Sequence, residues 1–165
     1  MIDKTDNHKL SLYNTLLFLS SNIFFYKKIG LKDTFETRVY LMLIHFSIFL
    51  IIYKFKNTKF PQDLYDSLFH SIENNLRELG YGDVGVNKKM KEINKILYDI
   101  LLKINSQTKD FKLNRKLISK YFNEFDNLND EKYKVFDDYL EKFYYFCFEL
   151  SPENMIKDAL NFRGI

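Results

Sequence analysis

From Val39 to Tyr53 the chain reads Val-Tyr-Leu-Met-Leu-Ile-His-Phe-Ser-Ile-Phe-Leu-Ile-Ile-Tyr. Wound into a helix, this stretch carries apolar side chains on every face, so no orientation leaves one side in water. It needs either a sheath of partner helices or the interior of a membrane. Residues 39–53 rise about 1.5 Å each and cover roughly 22 Å, short of the about 30 Å of bilayer hydrocarbon. His45 and Ser47 also sit mid-run, where lipid leaves polar groups without partners. The reading is therefore a buried central helix over residues 34–54, with a membrane-inserted helix as the alternative.

The rest of the chain supplies material to wrap it. At 165 residues it fits one domain, residues 1–165, able to bury roughly two thirds of its unfolded surface. No segment shows the two-residue alternation of a strand. Leu12, Leu16, Leu17 and Leu19 mark a first helix, and Ile23 to Tyr26 a packed turn closed by Gly30. Asp33 followed by Glu36 has the form of a capping box for the central helix. Pro61 suits the first turn of a third helix, whose stripe is Leu64, Leu68, Ile72, Leu76 and Leu79 and whose stop is Gly80.

Beyond it, Val86, Met90, Ile93, Leu97, Ile100 and Ile104 alternate steps of four and three, the seam of a helix lying along a neighbour. Lys88, Lys91 and Lys95 fall on its opposite face. A polar loop at 105–110, a short helix around Leu113 to Phe122, an aromatic helix from Tyr133 to Phe146 and a last helix capped by Ser151 with Pro152 behind it complete the reading. The fold class is all-α, a compact bundle of six to seven helices around the central one.

Charge and cysteine content narrow the setting. Residues 1–120 hold 20 basic and 12 acidic groups (+8), residues 121–165 hold 5 and 10 (−5). That asymmetry reads first as solvated helix faces, with attraction of the basic part to anionic lipid or RNA as the alternative. The lone Cys147 forms no internal disulfide and fits a reducing compartment. The start, Met-Ile-Asp-Lys-Thr-Asp, lacks the features of a signal or transit peptide. The chain is expected to stay in the cytoplasm, where it is made.

Several stretches imitate chemistry. Gly80-Tyr81-Gly82-Asp83-Val84-Gly85 spells G-x-G-x-x-G, yet a dinucleotide fingerprint follows a strand, and here a helical period precedes it. Asp126 to Glu131 resembles a calcium loop, with Leu128 at a ligand position and no turn glycine. His8, His45 and His70 lack the spacing of a metal site, and His45 reads as a hydrogen-bonded core histidine. No Ser or Cys sits in a nucleophile elbow. The expectation is a protein without enzyme activity, cofactor or metal.

An ordered series of residues remains: Phe25-Tyr26, Asp33-Thr34, Arg38, His45, then Leu76-Arg77-Glu78-Leu79-Gly80-Tyr81-Gly82-Asp83, then Val86 and Lys88-Lys89. This series resembles the ubiquinol-cytochrome c chaperone family, assembly factors of respiratory complex III, over about residues 12–105, with looser likeness from 106 to 165. Thr37, Glu73 and Ile96 to Ile100 depart from the family pattern. The resemblance implies an assembly chaperone that attends newly made cytochrome b or its nascent chain. Ribosome, a small helper subunit and the anionic membrane surface are further expected contacts, and no small-molecule substrate is implied. Candidate partner-binding residues are Arg77, Glu78, Tyr81, Asp83, Lys88, Lys91 and Lys95; Asp33, Thr34, Arg38, His45, Gly80 and Gly82 are expected to hold the structure. A ribosome- or RNA-associated helical module is the competing function.

Overall fold

The computed structural model describes residues 4–104, 111, 115–125 and 131–164. Among them every regular element is helical: α1 (Lys4–Ser20), α2 (Phe35–Phe55), α3 (Gln62–Glu78), α4 (Asp83–Lys103), α5 (Arg115–Tyr121), α6 (Glu131–Phe148) and α7 (Pro152–Asp158). The all-α expectation holds.

Helix α2 is the axis. It runs 21 residues, roughly 31 Å at helical rise, so the length argument against a membrane span fails: the helix is longer than the greasy run that marks it. Coverage separates the two environments instead. Every residue from Leu41 to Phe49 is buried, with α1, α4, α6 and α7 packed around the helix. Rings from α3 and the preceding loop close the remaining side, Tyr65 and Phe60 standing 5.7 and 5.3 Å from Phe46.

The start of α2 differs from the capping-box reading. Thr34, not Asp33, is the N-cap, its hydroxyl accepting from the Thr37 amide at 3.1 Å. Asp33 lies one residue too early to reach that amide and is held instead by Arg38. Ile23 to Lys28 is also more ordered than a turn. Phe24–Lys28 forms a π-helical turn, closed by the Ile29 amide on the Phe24 carbonyl at 3.1 Å, that buries Phe24 and Phe25. Gly30 ends it at φ +86°, a backbone region that favours glycine.

Two further boundaries shift. Pro61 is the N-cap of α3 rather than a residue of its first turn. Ser151 does sit before Pro152 at the N-cap of α7, yet its hydroxyl accepts from the Asn154 side chain and caps no backbone amide. The expected loop at 105–110 and most of the calcium-like stretch, 126–130, lie outside the described residues.

Helix α6 brings the aromatic half of the core. Phe136, Tyr139 and Phe143 are buried on it. Tyr139 and Phe143 flank His45, their ring centroids 5.6 and 4.9 Å from the imidazole.

Candidate partner-binding surface

The corner between α3 and α4 is built by backbone first. Gly80 at φ +97° lets the Tyr81 amide reach the Leu76 carbonyl at 3.1 Å and its own amide reach Arg77 at 3.0 Å. That pair of bonds is the Schellman closure of a helix. The chain then restarts at once as α4, with Gly82 as N-cap. Helices on both sides dispose of the G-x-G-x-x-G reading: one glycine ends a helix and the next begins one.

Arg77 spans the corner. Its guanidinium donates to Asp83 on α4 at 2.5 Å and to Glu73 one turn back at 3.2 Å. Three of the polar residues at this end are thus spent on each other, tying α3 to the first turn of α4. The charge-assisted bonds to Asp83 and then Glu73 hold Arg77 above its already high pKa.

Around this polar clamp the apolar residues are uncovered. Leu79, expected in the core stripe of α3, is 58% exposed, and Val84 is 85% exposed. Leu79 keeps a helical backbone at the C-cap, φ −74° and ψ −4°, and lies on the same side as Ile72, at the open end of the stripe. Tyr81 is partly exposed, and a Cβ on Gly85 would lie 3.3 Å from its ring, so that glycine leaves the ring room to lie against α4.

Leu79 also forms one lip of a pocket of about 250 Å³ between α1, α2 and α3. Its walls are Leu17 from α1, Phe35, Val39 and Met42 from α2, and Ile72 from α3. Polar groups stand at the rim: Arg38, Glu78, and Tyr13 hydrogen-bonded to the Asn75 side chain. Arg38 and Glu78, 40 positions apart in number, thereby border one opening. The pocket's walls are aliphatic and aromatic carbon, with a few polar groups at the edge, the general make-up of sites that bind apolar groups.

A second clamp fixes the pocket's α2 wall. Arg38 donates to both carboxylate oxygens of Asp33, at 2.6 and 3.0 Å, and to the Ser21 hydroxyl at 2.7 Å. Its guanidinium lies 5.5 Å from the Tyr26 ring. The bond from Arg38 holds the Asp33 carboxyl below its ordinary pKa. One side chain thus joins the end of α1, the π-helical turn and the start of α2.

His45 stands apart from this surface, fully buried. The neutral ring satisfies both neighbours: Nδ1–H donates to the Leu41 carbonyl at 2.6 Å and Nε2 accepts from the Tyr139 hydroxyl at 2.7 Å. Burial pushes its pKa down to about 4, opposed by the Leu41 hydrogen bond. Burial likewise raises the Cys147 thiol. Among the described residues no group of His, Cys, Asp and Glu is placed to hold a metal ion.

Lys88, Lys91 and Lys95 lie in a row on the exposed face of α4, away from the core seam as their spacing predicts. With His45 in the core, the structure separates the other candidate residues into three sets. Arg77, Gly80, Tyr81, Gly82 and Asp83 make the corner; Glu78 and Arg38 border the pocket, with Asp33 and Thr34 fixing the start of α2 beside it; the three lysines form a face of their own. The exposed Leu79 escaped the sequence reading because its period on α3 marks it no differently from core, whereas Val84 falls by period on the lysine face of α4.

The fold defines the class, an all-helical protein, and its described residues enclose an apolar pocket open to solvent beside Arg38, Glu78 and Leu79. Residues 27–129 match the family profile described as Ubiquinol-cytochrome C chaperone, well over half of the chain, and the chain belongs to that family. The match takes in α2, α3, α4 and α5 and begins after α1. As a member of a chaperone family the protein acts on protein partners. No curated protein and no solved structure matches the chain.

Proposed function

We propose that this protein is an assembly chaperone for ubiquinol-cytochrome c reductase, respiratory complex III, that holds newly made cytochrome b until the subunit joins the complex. Family membership over residues 27–129 carries the reading. The apolar pocket between α1, α2 and α3 gives it a physical form: a client segment seats one apolar side chain there while the Arg38 and Glu78 rim meets polar groups beside it. The protein works without chemistry of its own, from the cytoplasmic side and peripheral to the inner membrane. A helper subunit or the ribosome would meet faces other than this pocket.

The test is genetic and biochemical together. Deleting the gene lowers the reduced-minus-oxidised absorbance of cytochrome b while unrelated membrane complexes keep their levels; a normal cytochrome b spectrum rejects the proposal. Tagged protein recovers cytochrome b from detergent extracts, and Leu79→Glu lowers that recovery while leaving the fold intact, because Leu79 is exposed. Retention of the tagged protein on ribosomes that falls steeply with salt, with no cytochrome b recovered, favours the competing RNA-associated function.

A further inference from the structure

Helix α4 exposes a continuous stripe that its core seam does not use. Val84, Lys88, Lys91, Lys95, Tyr98 and Leu102 recur at steps of four, three, four, three and four, so they share one face. All six are exposed, Tyr98 by 61% and Leu102 by 85%. The stripe has apolar ends and a basic middle, and it contains no acid. The acids beside it are already taken: Glu92 pairs with Lys89, and Asp99 with Lys103 and Lys120. Among the described residues, Lys88, Lys91 and Lys95 form no ion pair.

We infer that this face of α4 docks the protein on an anionic lipid bilayer. Two geometric points select a membrane over a partner helix. A helix packed along α4 would bury three lysines at the centre of its seam, where coiled-coil packing asks for apolar side chains. A helix crossing α4 at the usual steep angle would meet only its middle turns and leave Val84 and Leu102 unused, about 27 Å apart along the axis. A flat surface meets all six residues at once. Lysine stems run along the apolar boundary with their ammonium groups at the phosphates, Tyr98 sits at headgroup depth, and Val84 and Leu102 enter the acyl edge at the two ends.

The inference rests on the peripheral placement proposed above and names its surface; it does not involve the client pocket. The probe is a vesicle of phosphatidylcholine with or without a third of phosphatidylglycerol, mixed with the full chain. Binding is expected to the anionic vesicles only. Each lysine near such a surface contributes roughly fivefold, so Lys88→Gln, Lys91→Gln and Lys95→Gln together lower the partition coefficient on the order of a hundredfold. The chain has no Trp, so Tyr98→Trp adds a single fluorophore whose emission shifts to the blue on anionic vesicles if this face inserts. All these positions are exposed, and an unchanged far-UV circular dichroism spectrum verifies folding.

Equal binding to neutral vesicles, an unshifted Trp spectrum in the bound state, or a triple variant that binds as well as the parent overturns the inference. So does a triple variant that loses cytochrome b recovery from detergent extract in a chain that ignores vesicles, since the face then meets protein. Loss of vesicle binding with cytochrome b recovery intact supports the lipid assignment, and the reverse pattern in Leu79→Glu separates the pocket from it.

Discussion

Helices α2 and α4 have the same length, 21 residues each, and nothing else in common. The first is apolar all round, passes the length and hydropathy test for a membrane span at mean hydropathy 1.7, and has 72% of that window buried inside the protein. The second has one apolar seam, formed by Val86, Ile93, Ile96, Leu97 and Ile100, and an outer face left to solvent. The greasier helix is the one the fold mostly covers. What a helix can offer to its surroundings follows which atoms remain uncovered after folding and not how apolar the segment is.

The sharpest way to break the comparison is to truncate one large residue on each helix. Phe46 is fully buried between Phe60 and Tyr65, and Phe46→Ala is expected to cost about 3–5 kcal/mol through lost burial and a residual cavity. Leu102→Ala on α4, where the side chain is 85% exposed, is expected to stay within about 0.5 kcal/mol. Urea unfolding of both variants measures the difference. Similar losses at the two sites would mean that α2 is not the central element.

A second difference between the helices is acid sensitivity, because only α2 buries a histidine. The His45 pKa lies near 4 in the folded chain against 6.5 for an ordinary histidine, so folding favours the neutral ring. That contribution is complete above about pH 6.5 and is lost as pH falls from there towards 4, amounting to roughly 2–3 kcal/mol by pH 4. Unfolding midpoints across this range should decline in the parent, and the His45 imidazole resonances should still report a neutral ring at pH 5. A ring that titrates near 6.5 would place water beside it.

The smallest contrast lies at the helix starts. Thr34 caps α2 through its hydroxyl, whereas Gly82 caps α4 with no side chain. Thr34→Ala should cost about 1 kcal/mol, and Gly82→Ser should gain a few tenths, since the Gly82 backbone at φ −75° suits any residue and its Cβ would meet open space. Thermal melts resolve both signs.

The family resemblance of Arg77 to Asp83 was legible because a helix stop, a short turn and a helix start leave a dense local signature in residue types. The roles inside that signature were not. Arg77 and Asp83 belong to different helices, and their pairing follows only from the turn that Gly80 permits. Leu79 keeps the side its period assigned to it and is exposed because it stands at the helix end beside an open pocket. Asp33 and Thr34 are adjacent in the chain and equally able to cap; the backbone at Thr34, extended at φ −120° and ψ 163°, decides between them and frees Asp33 for Arg38.

What the residues determined unaided is periodicity and its consequences: helices throughout, a central one with no polar side, a seam and an outer face on the fourth. Those are local properties, because helical geometry fixes which side chains share a face before anything packs. Which faces then meet was decided by the tertiary structure alone. His45 finds Tyr139 at a separation of 94 positions, and Thr15 donates to Ile156 at 141. Burial is a property of the assembled volume, and so the covering of α2, the opening of the pocket beside Leu79 and the exposure of Leu102 become visible only when the helices stand together.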